Sequence, residues 1–174
     1  MSNLQALKTI LHEKLKAADQ SKLEEVNYKR NGKSRFHQSY PIVSGNLNYM
    51  VYRFPSEPEK MFPYFSEESG LRKLCDYLVL AEERNHLYLF LVELKLGKDS
   101  AMKQLKAGKV FVHYLLESAK RIGLEVNDEY TVRMLRISEI NTGKRGLMEK
   151  PIEFIEGYYE YPHSAFRLKS LIQT

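Results

Sequence analysis

Three ionisable residues interrupt two apolar runs near the middle of the chain. Asp76 lies within the run Lys73 to Leu80, whereas Glu93 and Lys95 lie near the end of the run Leu87 to Gly97. Side chains alternate between the two faces of a strand, so Glu93 and Lys95 point the same way. Ionised groups in half-buried strands are costly unless they pair or bind a metal. The pattern therefore predicts either a buried ion pair or a metal site.

The elements that would position these residues follow from local patterns. A short polar connection, Glu82 to His86, separates the two apolar runs and predicts adjacent antiparallel strands. Asp99 or Ser100 can then cap a helix that runs to about Ile122 and stops at Gly123. One narrow apolar stripe of this helix would pack on the sheet: Ala101, Leu105, Gly108, Val112, Leu115, Leu116, Ala119 and Ile122. Gln104 lies at the margin of the stripe, near the helix start, where it can reach the end of the second strand.

Asp76, the tripeptide Glu93-Leu94-Lys95 and the pair Gln104-Leu105 together resemble the PD-(D/E)xK phosphodiesterase superfamily, the restriction-endonuclease-like nucleases. The resemblance covers the segment from about Lys73 to Lys120. It implies an α/β fold in which a mixed central β-sheet is flanked by helices. The length of 174 residues fits one domain, residues 1–174, with the core motif in residues 73–122.

The resemblance also implies a role for each of these residues. Asp76, Glu93 and the backbone carbonyl of Leu94 would hold Mg²⁺, with Mn²⁺ as a substitute. Lys95 would orient or help to deprotonate the attacking water and stabilise the phosphoryl oxygens, and Gln104 would position the water or the lysine. The chemistry suits a divalent ion with hard oxygen ligands, which supplies both a hydroxide and positive charge for phosphodiester hydrolysis.

A further ligand could come from the N-terminal part of the chain. Leu4, Leu7, Leu11, Leu15 and Ala18 recur at helical spacing, which predicts a helix from about Asn3 to Asp19 that resumes through Lys22 to Val26. Members of the family often carry a metal-binding glutamate on the first core helix. Glu13, Glu24 and Glu25 are the candidates, and the sequence leaves the choice among them open. Each, taken alone, also fits a solvated surface charge.

A basic and aromatic segment, residues 28–40, predicts a nucleic-acid contact. Four basic residues alternate there with aromatic ones around Gly32: Lys29, Arg30, Lys33 and Arg35. Basic groups neutralise phosphates and aromatic faces stack on unpaired bases, although a solvated hairpin tip explains the composition nearly as well. The formal net charge of +5 favours a polyanionic partner in the same way. No helix or strand is predicted from Tyr28 to Asn46.

The rest of the chain predicts further strands and few other functions. Strands are expected at Leu47 to Phe54, Glu129 to Ser138 and Ile152 to Tyr161, with a terminal strand or helix after His163. A lone cysteine, Cys75, allows no internal disulfide, and the five scattered histidines make a zinc hydrolase improbable. No signal peptide is evident, and no apolar run is long enough to span a membrane, so a cytoplasmic protein is expected.

The sequence therefore predicts a metal-dependent nuclease that acts on nucleic acid, with DNA preferred over RNA. One alternative is a non-catalytic module on the same fold, which binds nucleic acid or protein and in which Glu93 and Lys95 are simply an ion pair. A second alternative is an RNA-directed endonuclease. Cleavage specificity, endo or exo action and oligomeric state are left open, a homodimer included.

Overall fold

The computed structural model describes residues 2–28, 35–56, 62–66, 68, 71–95, 100–124, 126, 129–138 and 151–173. Two α-helices and a third short one combine with nine strands in these parts of the chain. In chain order the elements are α1 (Asn3–Ile10), a 3₁₀ helix (Glu13–Leu15), β1 (Lys22–Tyr28), β2 (Arg35–Val43), β3 (Asn48–Arg53), β4 (Tyr77–Glu83), β5 (His86–Lys95), α2 (Met102–Arg121), β6 (Tyr130–Ser138), β7 (Glu153–Ile155), β8 (Tyr158–Tyr161), β9 (Phe166–Arg167) and α3 (Leu168–Gln173).

A six-stranded mixed sheet lies at the centre, in the order β3-β4-β5-β6-β8-β7. Strands β3, β4 and β5 are antiparallel neighbours, which confirms the predicted pairing of the two apolar runs. Strand β6 is parallel to β5 and to β8, and β7 returns antiparallel to β8. Parallel neighbours need a long crossover, and α2 lies in the connection from β5 to β6. The predicted mixed α/β architecture is confirmed at this level.

The two faces of the central sheet are covered differently. Residues of one parity, such as Leu78 and Leu91, pack with α1 and α2, and residues of the other parity, such as Val79 and Phe90, face a second core. That second core is closed by α3 and by a three-stranded sheet of order β1-β2-β9. Helices therefore cover one face, whereas a small sheet and one short helix cover the other.

Helix α2 matches its predicted span and approaches β5 closely. A Cβ added at Gly108 would lie 2.8 Å from Cys75 Sγ and 3.0 Å from Leu91 Cδ2, so this contact requires glycine. The helix ends before Gly123, whose φ of 78° suits a glycine stop. Ile122, which the stripe placed in the core, is 57% exposed, so that assignment was wrong: the residue is already past the last helical turn.

The N-terminal predictions were wrong in two places. Helix α1 ends at Ile10, and the segment expected to resume as a helix at Lys22 is strand β1. The segment expected to lack regular structure contains β2, which pairs antiparallel with β1 from Lys22↔Pro41 to Tyr28↔Arg35. Among the described side chains of β1 and β2, Leu23 and Tyr40 are buried in the second core and Ile42 packs against it, so the strand pattern depends on what the strands cover.

The C-terminal predictions were right in type and too coarse in detail. β3 and β6 confirm two expected strands, but Ile152 to Tyr161 forms two strands rather than one. Glu156 and Gly157 turn the chain between them with φ of 51° and 97°. After His163 the chain forms both a strand and a helix, β9 and α3. No helix in the described parts of the chain is long and apolar enough to cross a membrane.

Candidate active site

Asp76 and Glu93 are brought together by the register of β4 and β5. Tyr77 pairs with Val92, so the next two residues outward along the ladder are Asp76 and Glu93. The ladder on the other side of β4 also extends to this point, since Phe54 N–H donates to the Asp76 carbonyl at 2.9 Å. The Asp76 carboxylate then reaches across to β5, where its Oδ2 accepts a 2.7 Å hydrogen bond from Leu94 N–H.

Glu93 and Lys95 form an ion pair on one face of β5. Lys95 Nζ lies 2.8 Å from Glu93 Oε1, which confirms that the two side chains point the same way. The Glu93 side chain is 6% exposed and that of Lys95 is 20% exposed. The second oxygen of Glu93, Oε2, is buried and has no hydrogen-bond partner among the described residues. A buried carboxylate with one unpaired oxygen is unfavourable, which suits a site that binds a cation.

Burial makes both carboxyl groups poor acids. It raises the pKa of Asp76 to about 6, against the lowering effect of the Leu94 N–H. Burial and the negative charge of Asp76 together raise the pKa of Glu93 to about 7, while Lys95 opposes the change. The two groups titrate as a pair because each charge disfavours the other. A bound cation would relieve both the burial and the repulsion.

Glu25 is the upstream glutamate that the structure places at this pair. The Tyr77 hydroxyl donates to the Glu24 carbonyl at 2.6 Å and accepts from Glu24 N–H at 3.1 Å, which ties β1 to the residue after Asp76. The negative charge of Glu25 contributes to the raised pKa of Asp76 and of Glu93. Glu25 lies on a strand, so the expectation of a helical glutamate was wrong.

The two other candidate glutamates have different surroundings. Glu24 forms an ion pair with Lys22 at 2.9 Å. The Glu13 side chain is 69% exposed and lies 3.7 Å from Lys16. Neither charge is among the main causes of the shifted pKa of Asp76 or Glu93. Of the three candidates, Glu25 is the one whose charge is a main cause of the raised pKa values, and its part in a metal site stays a prediction.

The donor set fits a hard divalent cation that keeps several waters. The described residues contain no group of three or more histidine, cysteine, aspartate or glutamate side chains arranged to hold a metal. Mg²⁺, however, is commonly held by one or two carboxylates together with water and substrate oxygens. Asp76 and Glu93 would supply the carboxylates and Leu94 the carbonyl, and the unpaired Glu93 Oε2 is the atom that most needs such a partner.

Gln104 makes no hydrogen bond among the described residues that would support its predicted role. It lies in the first turn of α2 and is half-buried. Its side chain makes no hydrogen bond to Glu93, to Lys95 or to any other described residue, so its supporting role stays a prediction.

A row of charged residues, not predicted from the sequence, continues across the sheet. Glu93 pairs in register with Arg136 of β6, and Arg136 pairs with Glu160 of β8. Arg136 is 8% exposed, and its Nη1 lies 2.6 Å from Glu160 Oε1. A charged residue inside a predicted strand was the available clue, the same one that singled out Asp76. The row provides one buried cation next to the candidate site.

The basic cluster predicted to bind nucleic acid lies outside the described part of the chain. This holds for Lys29, Arg30 and Lys33 and for the side chain of Arg35.

In comparisons with known proteins, the chain matches no protein-family model, no curated protein and no solved structure.

Proposed function

We propose that the protein is a metal-dependent nuclease with a restriction-endonuclease-like core. One observation carries the proposal: Asp76, Glu93 and Lys95 meet at the adjoining ends of β4 and β5, with one oxygen of the Glu93 carboxylate buried and unpaired among the described residues. The helix that follows the second strand packs back on it through Gly108, which is the order of elements that the resemblance implies. Two buried carboxylates that repel each other gain most from a shared cation.

Each residue then has a physical task. A bound Mg²⁺ supplies positive charge and an acidic water. Asp76 and Glu93 would hold the ion, and the hydrogen bond from Leu94 N–H fixes the orientation of the Asp76 carboxylate. Lys95 Nζ, held 2.8 Å from Glu93 Oε1, donates to a phosphoryl oxygen and stabilises the charge that develops there. The net charge of +5 favours nucleic acid as the substrate, and DNA is the preferred class.

The direct test is a cleavage assay on single-stranded DNA, duplex DNA, branched DNA and RNA, each with Mg²⁺, Mn²⁺ or EDTA. We expect cleavage that EDTA abolishes. Lys95→Ala and Asp76→Ala should each reduce the rate by about 10²–10⁴-fold, the range for loss of a positioned catalytic group. Lys109→Ala, which removes an exposed lysine of α2, is the matched control and should keep the wild-type rate.

A second candidate function is a non-catalytic module that binds nucleic acid or protein. The observation that favours it is the Glu93–Lys95 ion pair, which already gives each charge a partner without a metal. A protein that binds an oligonucleotide but cleaves none of the four substrates with either metal would support the module. Cleavage confined to RNA would instead support the RNA-directed endonuclease.

A further inference from the structure

A buried amide on the β1–β2 hairpin lacks a hydrogen-bond partner among the described residues. Gln38 of β2 is 5% exposed, and neither its Oε1 nor its Nε2 has a hydrogen-bond partner among the described residues. Nearly all buried polar side chains in folded proteins are hydrogen-bonded, because an unpaired one opposes folding. Two unpaired atoms on one side chain therefore indicate a partner that binds there.

The register of the hairpin pairs Gln38 with a glutamate whose charge acts on the candidate active site. Gln38 pairs with Glu25 across the hairpin, and both lie on the face that carries Leu23 and Tyr40 into the second core. The Tyr40 hydroxyl, two residues from Gln38, donates to the Ser138 carbonyl at 3.2 Å.

Two anchors hold the hairpin over the ends of the central strands. Ser138 is the register partner of Lys95, so the Tyr40 contact is made at the end of β5 and β6. The second anchor is the pair of hydrogen bonds between the Tyr77 hydroxyl and the Glu24 backbone. Tyr77 directly follows Asp76 in the chain, and Glu24 directly precedes Glu25. Gln38 lies on the inward face of the same hairpin as the register partner of Glu25, whose negative charge acts on both Asp76 and Glu93.

The chemistry of the surroundings indicates which ligand the amide would meet. Three of the nearby side chains are carboxylates, Asp76, Glu93 and Glu25, and a phosphate entering among them is repelled unless donors accompany it. Lys95 is one donor, already shared with Glu93. The Gln38 amide offers two N–H donors without adding charge.

We propose that Gln38 contacts the substrate directly, with Nε2–H donating to a phosphoryl oxygen of the bound phosphodiester. This inference rests on the proposed nuclease function. It adds the hairpin as a second wall of the site, opposite the strand ends that carry Asp76 and Glu93.

The test compares stability with binding in two variants of Gln38. Gln38→Met replaces the amide by an apolar side chain of similar size, and Gln38→Glu replaces the donor by a charged acceptor. Ser39→Ala, on the exposed face of the same strand, is the matched control. The readouts are the melting temperature without ligand and the Kd for a fluorescent DNA oligonucleotide, with Ca²⁺ in place of Mg²⁺ to retain oxygen coordination.

We expect Gln38→Met to melt at or above the wild-type temperature, because a buried unpaired amide is removed. The same variant should bind the oligonucleotide about tenfold more weakly or worse, the loss expected for one hydrogen bond to a charged group. Gln38→Glu should bind more weakly still, since its charge repels phosphate, and Ser39→Ala should match wild type in both readouts.

The outcomes separate this inference from the proposed function. Cleavage by wild type together with unchanged binding by both Gln38 variants would overturn the inference alone. Absence of cleavage with a Gln38-dependent loss of binding would overturn the nuclease and retain the contact. If Gln38→Met melted at a lower temperature than wild type and its loss of binding matched that loss of stability, the amide would have a structural role and the proposed contact would be overturned. A wild-type protein that binds no oligonucleotide would overturn both.

Discussion

At the scale of single residues, the central fact is that the buried carboxyl group of Glu93 lies beside the half-buried one of Asp76. Burial raises the pKa of each carboxyl group, and only Leu94 N–H and Lys95 offset the cost directly among the contacts seen. A pair of this kind lowers the stability of the metal-free protein and favours the metal-bound state. Its stability should therefore respond to mutation, to metal and to pH in ways that a core ion pair would not.

Asp76→Asn should behave unlike an ordinary core mutation. Without metal, its melting temperature should equal or exceed that of wild type, because the repulsion with Glu93 is removed while the side chain keeps its shape. Mn²⁺ at about a hundred times its Kd should stabilise wild type by roughly 2.7 kcal/mol and should leave Asp76→Asn nearly unchanged. Thermal unfolding with Mn²⁺ or EDTA measures both effects.

Lys95→Ala is the control for that experiment. It should keep most of the metal-dependent increase, because its role is with the substrate and not with the ion. Equal increases in wild type and Asp76→Asn, or no increase at millimolar metal, would show that Asp76 and Glu93 do not form a metal site.

The stability of the metal-free protein should fall as pH rises between about 4 and 7. Unfolded carboxyl groups titrate near pH 4, whereas in the folded protein the pKa of Asp76 is about 6 and that of Glu93 is about 7. The folded state therefore holds more protons in this window, so the contribution of the pair is present below about pH 4 and lost by about pH 7. In urea unfolding with EDTA, the free energy of unfolding of Asp76→Asn should increase relative to that of wild type as the pH rises. A difference between the two proteins that stays constant with pH would contradict the raised pKa values.

At the scale of elements, the contact between α2 and β5 decides where the start of the helix lies relative to the strand ends. Gly108 permits this contact because the space of its missing side chain is filled by Cys75 Sγ and Leu91. The helix thereby brings its first turn, with Gln104, toward the site region. Any side chain at this position should push the helix away from β5.

Gly108→Ala should lower the free energy of unfolding, although alanine favours helix by about 1 kcal/mol. Overpacking costs about 1–3 kcal/mol and should outweigh that gain. In a Cys75→Ala background the same change should become neutral or stabilising, because the nearest contact is gone. Lys109→Ala is the control and should stay within about 0.5 kcal/mol of wild type. Urea unfolding of the four variants tests this, and additive effects would contradict the packing.

At the scale of the whole molecule, side-chain contacts join the β1–β2 hairpin to the central sheet. The strands come from distant parts of the sequence, and the contacts of Tyr40 with Ser138 and of Tyr77 with Glu24 join them. The basic cluster at residues 29, 30, 33 and 35 lies in sequence between and at the start of the paired strands β1 and β2. If the hairpin is a wall of the site, these charges are the ones expected to follow the nucleic-acid backbone.

Replacing Lys29, Arg30, Lys33 and Arg35 together by alanine should weaken oligonucleotide binding and flatten its salt dependence. Each lost phosphate contact should reduce the log-log slope by roughly 0.7 to 0.9. The matched control removes the same charge from the exposed flank of α2: Lys103, Lys106, Lys109 and Lys120. Binding titrations at several salt concentrations give the slopes. Equal slopes for the two quadruple variants would show that net charge alone, and not the hairpin, sets the affinity.

Local patterns were enough to identify the central part of the site. Alternation along β5 placed Glu93 and Lys95 on one face, and the spacing of apolar residues gave the span of α2, because both periodicities belong to the element itself. The charged residues inside apolar runs identified Asp76 for the same reason. The nuclease function and the roles of these residues remain proposals built on that pattern.

Only the tertiary structure determined that β1 and β2 form a hairpin that packs against the central sheet. Strand β1 was predicted as helix and β2 as irregular, since their burial depends on the sheet they cover and not on their own periodicity. That packing brought the charge of Glu25 within reach of Asp76 and Glu93, and it buried Gln38, which no sequence pattern singled out. The row from Glu93 through Arg136 to Glu160 likewise exists only through strand register, which joins residues up to 67 positions apart, since 160 − 93 = 67. The register between strands that are distant in sequence is a property of the folded sheet, because the local sequence does not specify which residues will be paired by hydrogen bonds between strands.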